Sequence, residues 1–311
     1  MQGLVVKNTG NNLWVRFSDG NTEMCKVKGN FRIKGIKSTN PVVVGDRVEV
    51  DSSKFVVEIT DRKNYIIRRP TNLSKQIHII AANIDIALLI VSLKKPETSL
   101  VFIDRFIASA EAFDVPVVII FNKIDLLSNN DKKKLDSFIN IYQSINYKCI
   151  KCVATENIGI DEIKQTINGK VALLSGNSGV GKSTLINAII GESKAATSNI
   201  SAYHQKGMHT TTFSEIYCVD NKTYMIDTPG IKGFGIVKID ENEVSHFFRE
   251  IFAEGKNCRF PNCTHTHEPD CAVIKAVENG TIAESRYKSY LSIIDELKNN
   301  SKYRTCINSK K

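Results

Sequence analysis

The stretch from Val171 to Ile190 constrains this chain more than any other. An apolar run, Val171-Ala172-Leu173-Leu174, leads through Ser175 into Gly176-Asn177-Ser178-Gly179-Val180-Gly181-Lys182-Ser183-Thr184, and a helix-forming run follows from Leu185. Strand, G-x4-G-K-S and helix in that order build a phosphate cradle. The glycines let backbone N–H groups turn inward as an anion nest, Lys182 reaches the β- and γ-phosphates, and the Ser183 hydroxyl can ligate Mg2+ at the helix N-terminus. Gly176 to Thr184 is therefore the expected phosphate-binding segment, and Lys182 is also expected to stabilise charge during phosphoryl transfer.

Two further strand ends say which nucleotide. Asn122-Lys123-Ile124-Asp125 follows the apolar run Val115 to Ile120. Asp125 can accept hydrogen bonds from the guanine N1–H and exocyclic amine, Asn122 can bond the oxygen side of the base, and the Lys123 stem can cover the ring face. Adenine offers no such donor pair, so it would leave the carboxylate unpaired. Asp227-Thr228-Pro229-Gly230 closes another apolar run; Asp227 would hold the Mg2+ shell and the Gly230 N–H would sense the γ-phosphate. The polar stretch Ser193 to Thr212 suits a loop that orders around Mg2+ and γ-phosphate, with Thr211 favoured over its neighbouring threonines as the Mg2+ ligand. Ras-type enzymes orient the attacking water with a Gln after DxxG; Ile231 stands here, so His209 is the expected catalytic partner of that water, with docking on RNA phosphate as its other reading.

Motif order carries a topological statement. Ordinary GTPases place the phosphate cradle first and the base-reading motif last, whereas here residues 122–125 precede 176–184, which precede 227–230. The chain reads as circularly permuted, and the segment after DxxG runs into the C-terminal region instead of back into the sheet.

At 311 residues the chain exceeds one hydrophobic core, and 42% apolar with 24% charged residues excludes disordered, collagen-like and disulfide-scaffold classes. Five short β-rich runs (Leu4 to Val6, Leu13 to Phe17, Glu23 to Val27, Arg47 to Val50, Phe55 to Ile59) predict an OB-fold barrel over residues 1–68. After Arg68-Arg69-Pro70, near-continuous apolar strands alternate with helical stretches over 69–242, which predicts a parallel α/β sheet. Residues 243–311 read as a helical domain interrupted by Cys258-x4-Cys263-x-His265-x5-Cys271. Three thiolates and one imidazole complete a tetrahedral set for structural Zn2+, with His267 the rival to His265 and no position left open for a catalytic water. A zinc hydrolase using His267 and Glu268 is excluded on that ground. Cys25, Cys149, Cys152, Cys218 and Cys306 read as packing residues.

The formal charge of +9 lies in the flanks: 12 basic and 7 acidic residues over 1–68, 19 and 18 over 69–244, 11 and 8 over 245–311. Ends that grip a polyanion around a neutral core fit RNA, and solubility is the plainer explanation. The longest apolar stretch, Ile77 to Leu93, holds His78, Asn83 and Asp85, too polar and short for a membrane span, and the N-terminus lacks a signal-peptide pattern. A cytoplasmic chain without a membrane partner is expected.

Across essentially its whole length the chain resembles the circularly permuted, ribosome-stimulated bacterial family of small ribosomal subunit biogenesis GTPases. The resemblance rests on the barrel, NKID, GNSGVGKST, the GxHTTT loop, DTPG and the Cys/His finger. It implies α/β architecture with a permuted GTPase domain between an OB-fold barrel and a zinc-binding helical domain. It also implies Mg2+ with GTP, one structural Zn2+, and binding to the small ribosomal subunit and its rRNA. Its activity would be hydrolysis of GTP to GDP that quickens on the subunit during late maturation; the chain is expected to be a monomer. Two departures stand out: Cys152-Val153-Ala154-Thr155 lacks the family's serine, and Met208 replaces its arginine before the switch histidine. A GTP-dependent RNA-binding regulator with little turnover is the alternative.

Overall fold

The computed structural model describes residues 1–10, 12–27, 41–68, 78–191, 215–227 and 240–308. His209, Thr211 and Gly230 lie outside the described residues, as do Met208, Ile231 and the side chain of Cys306.

Strands β1 (Gln2–Asn8), β2 (Leu13–Phe17), β3 (Thr22–Val27), β4 (Arg47–Val50) and β5 (Phe55–Ile59) close a five-stranded barrel in the order β1-β2-β3-β5-β4 and back to β1. Period-two alternation drives it: Leu13, Val15 and Phe17 of β2 and Val48 and Val50 of β4 point inward. Cys25 belongs to the same core. A hairpin follows, β6 (Tyr65–Arg68) antiparallel to β7 (His78–Ala82), with Tyr65 against Phe113 at 5.2 Å. The expected domain break after residue 68 thus falls between two paired strands.

The central sheet contains β8 (Ile86–Val91), β9 (Val117–Phe121), β10 (Lys148–Lys151), β11 (Val171–Ser175), β12 (Glu215–Cys218) and β13 (Tyr224–Asp227), ordered β10-β9-β8-β11-β13-β12. Helices α1 (Leu100–Glu111), α2 (Asn129–Ser144), α3 (Ile160–Ile167) and α4 (Lys182–Ile190) cover both faces. Every residue of β8 and β9 is buried. Ala87, Leu89 and Val91 pack with the α1 and α2 side chains Phe106, Ile107 and Leu135, while Ile86, Leu88 and Ile90 pack with Ile163 of α3 and Leu185 of α4. The strands read from the sequence run parallel, and β12, which the sequence reading did not place, adds an antiparallel member beside β13. Five residues connect them, and Asp220 Oδ1 accepts the Thr223 N–H at 2.8 Å, so the link is too short for a parallel crossover. Lys7 of β1 pairs with Glu215 of β12, joining barrel to sheet.

Asp240 and Glu243 form a capping box that starts a 3-10 helix, Glu241–Phe247. Helices α5 (Arg249–Gly255), α6 (Ala272–Glu278) and α7 (Glu284–Asn308) follow. Val244, Phe248, Ile251, Val273, Tyr290 and Ile294 share a core with Ala108 of α1, which seats this domain on the central one. Among the described residues no helix is long and apolar enough to cross a membrane.

Candidate functional site

The phosphate segment leaves the end of β11, and α4 begins at Lys182. Its glycines are required by their surroundings: Gly176 has φ +147° and a Cβ there would lie 2.2 Å from the Ile90 carbonyl oxygen, while Gly181 has φ +99° and a Cβ would lie 2.3 Å from Asn122 Nδ2. Gly181 at the N-cap of α4 offers no side-chain cap, so among the described residues the first N–H groups are open to an anion, with the exposed Ser183 and Thr184 beside them. Lys182 Nζ donates to the Gly176 and Asn177 carbonyls at 2.7 and 2.8 Å. Burial pushes its ammonium pKa down, and the Asp227 charge opposes that shift. Asp227 is itself buried at the end of β13, in register with Leu174 just before the cradle.

The base-reading motif occupies the end of β9, two strands away from β11. Lys123 takes a left-handed backbone at φ +63°, and the next three residues form a 3-10 turn, Ile124–Leu126, that leaves the Asp125 carboxylate exposed. The buried Asn122 is a junction: Nδ2 donates to the Val180 carbonyl at 2.9 Å and Oδ1 accepts the Ala154 N–H at 3.1 Å. Lys123 Nζ donates to the Lys95 carbonyl at 2.7 Å and the Gly179 carbonyl at 2.6 Å. Asn122 and Lys123, expected to touch the base, therefore also tie the cradle to the loops after β8 and β10. The structure adds Lys95 and Ala154, which act through backbone groups that no side-chain pattern announces. In the 152–155 loop the Ala154 N–H is taken by Asn122, and the exposed Thr155 follows it at the rim.

In the C-terminal domain one donor atom from each of Cys258, Cys263, His265 and Cys271 lies within 4.8 Å of the others. His265 Nδ1 is 3.5 Å from both Cys258 Sγ and Cys271 Sγ, which are 3.8 Å apart. These donors can hold a metal ion, and the chemistry of three sulfurs and a nitrogen suits Zn2+. Burial pushes the Cys263 thiol up to about 12 and raises the Cys271 thiol as well, so a bound cation would be what holds these two as thiolates. The imidazole is that of His265, buried and held by its carbonyl, which accepts Tyr287 Oη at 2.7 Å; Tyr290 Oη donates to the Thr264 carbonyl at 2.7 Å. His267 is exposed and shares a hydrogen bond with Thr266 Oγ1. Glu268 is spent on the loop, accepting the Thr264 and Thr266 N–H groups. Of the remaining cysteines with described side chains, Cys25 and Cys152 are buried and Cys149 and Cys218 half-buried.

A P-loop segment, the Asn122–Asp125 loop and a buried aspartate at the carboxyl ends of strands β11, β9 and β13, in permuted chain order, define a circularly permuted P-loop GTPase. Profiles described as RsgA N-terminal domain and RsgA GTPase match residues 2–55 and 59–237. The chain belongs to the RsgA GTPase family. A Phocaeicola vulgatus protein named small ribosomal subunit biogenesis GTPase RsgA is 57% identical over 308 residues, covering 98% of this chain and 99% of its own length. A Porphyromonas gingivalis protein of the same name is 50% identical over 313 residues, with the same coverage. Among solved structures, YjeQ from Thermotoga maritima matches with a TM-score of 0.74 at 34% identity, over 95% of this chain and 98% of its own. YloQ, described as a circularly permuted GTPase, matches at 0.70 and 25% identity, over 96% and 95%.

Proposed function

We propose that this chain hydrolyses GTP to GDP while bound to the small ribosomal subunit and its rRNA, and serves late maturation of that subunit in the cytoplasm as a monomer. The observation that supports the reading is the Asn122 junction, whose amide bonds Val180 of the phosphate segment and Ala154, so that the loop carrying the exposed Asp125 is linked directly to that segment. In this reading Asp125 pairs with the guanine N1–H and amine, and Lys123 covers the ring. The N–H of Thr155, beside the one Asn122 occupies, faces the guanine carbonyl in place of the family's serine. Lys182 leaves its two carbonyls for the β- and γ-phosphates, where developing charge holds it most tightly. Ser183, Asp227 and Thr211 would hold Mg2+, which supplies charge neutralisation on the phosphates. Gly230 senses the γ-phosphate and His209 orients the attacking water. The domains are residues 1–68, 69–242 and 243–311, with one structural Zn2+ per chain on Cys258, Cys263, His265 and Cys271.

The test is the GTP hydrolysis rate with and without purified small subunits. A rate that rises with subunit concentration and saturates supports the proposal, and His209→Ala is expected to remove most of that rise while leaving GTP affinity unchanged. A rate indifferent to subunits overturns it and favours a regulator that acts by occupancy.

A further inference from the structure

Helix α5 buries Ile251 against the domain core yet leaves the adjacent Phe252 43% exposed, and Phe260, in the turn between Cys258 and Cys263, is 38% exposed. Single exposed aromatics are ordinary. These two line one cleft of about 270 Å3, with the exposed His246 beside them and the buried Tyr290 also in its lining. His246 meets Phe252 edge to face at 4.9 Å. Each phenylalanine carries its own cation: Lys256 Nζ lies 5.2 Å from the Phe252 centroid, and the Arg259 guanidinium 5.6 Å from that of Phe260. Both cations are exposed.

We propose that this cleft binds one unstacked base of single-stranded RNA, seated against Phe252 and Phe260, with its flanking phosphates on Lys256 and Arg259. The proposal rests on the ribosomal reading above and names a contact within it. Size, charge and ring chemistry agree on the occupant. The cleft falls just below the roughly 300–1,000 Å3 typical of sites for drug-sized ligands, so it suits a single planar ring system. Aromatic rings with cations close by form the stacking platform that single-stranded nucleic acids use, since every base has a π-face and every linkage a negative charge. Glu241 is the one carboxylate among the described lining residues, and residues 245–311 carry 11 basic against 8 acidic side chains. A base inside a duplex cannot enter, because its faces are already stacked. Cys263 and His265 contribute to the wall, so a metal held by the cluster would help to shape the cleft.

The experiment titrates the full chain into a single-stranded RNA of about seven nucleotides carrying 2-aminopurine at its centre. Wild-type protein is expected to quench the probe. Phe252→Ala and Phe260→Ala should each weaken binding about tenfold and restore fluorescence, and Phe260→Tyr should keep both. Lys256→Gln should weaken binding and reduce its salt dependence while the bound probe stays quenched. Metal content and basal GTPase rate matching wild type establish that a variant is folded. A folded double variant, Phe252→Ala with Phe260→Ala, that binds and quenches like wild type overturns the proposal, as does a duplex of the same sequence competing on equal terms. If small subunits fail to stimulate hydrolysis while the oligonucleotide is still quenched, the ribosomal reading falls and the cleft stands. If subunits stimulate while the double variant quenches normally, the cleft falls alone.

Discussion

Asp125 and Asn122 sit three residues apart and have opposite situations. Asn122 is buried with both ends of its amide engaged, whereas Asp125 is exposed in the middle of a 3-10 turn, where a ligand can reach it. The difference separates framework from specificity. Asp125→Asn keeps the shape but replaces an acceptor oxygen with a donor, so it is expected to weaken GTP binding at least about 100-fold and to admit xanthosine triphosphate, whose ring carries a carbonyl where guanine has its amine. Competition binding with the two nucleotides checks this; retained GTP affinity with xanthosine triphosphate rejected would reassign the motif.

At the level of elements, two polar ties hold the central sheet and the C-terminal domain in place. Arg286 of α7, 1% exposed as a side chain, donates to Asp104 of α1 at 2.8 Å and to Glu250 of α5 at 2.7 Å, with its guanidinium 4.5 Å from the Phe248 centroid. Tyr142 of α2 donates to the same Asp104 oxygen at 2.9 Å. Arg286→Met strands two buried carboxylates and is expected to cost about 3–5 kcal/mol, read by thermal unfolding. Arg286→Lys should recover little of this, because an ammonium cannot fork between two acids. The second tie is Asp85 at the foot of β8, which accepts the Val171 N–H and Lys63 Nζ, each at 2.8 Å. Burial acts to raise its pKa, but those hydrogen bonds together hold it below the ordinary carboxylate value. A depressed folded pKa means stabilisation that is present above the unfolded value of about 3.9 and is lost as pH falls through the folded one. The melting temperature of Asp85→Asn should lie below wild type at pH 7 and converge on it as pH drops from about 5 to 3. A gap that widens toward acid would contradict the assignment.

For the molecule as a whole, the C-terminal domain combines a small apolar core with the Cys/His cluster, and the cluster's loop is pinned to α7 by Tyr287 and Tyr290. Loss of a metal held by the cluster should therefore loosen this domain and leave the central sheet, with its two large cores, intact. Cys263→Ser is expected to abolish metal content by elemental analysis and to lower the first unfolding transition while GTP affinity changes less than about twofold. Loss of nucleotide binding in step with the metal would show that the two domains fold as one unit.

The permuted motif order and the donor types of both candidate sites lie in the local sequence. Gly176, Gly181, Lys182, Asp125 and the cysteines of the Cys258–Cys271 set are read from backbone conformation, charge and donor type at short fixed spacings, which local order carries. The barrel strands were legible too, because alternation such as Leu13, Val15, Phe17 is a local property. Tertiary structure alone decided what depends on distant partners. Arg286 looks like one more charge on an amphipathic helix, and only packing against Asp104, 182 positions away, makes it a buried junction. Residues 65–68 and 78–82 form a hairpin across an Arg-Arg-Pro sequence that reads as a break, and β12 runs antiparallel because a five-residue link leaves no room to cross over. His265 and His267 differ for the same reason: spacing admits either imidazole, and only the fold buries His265 beside three sulfurs.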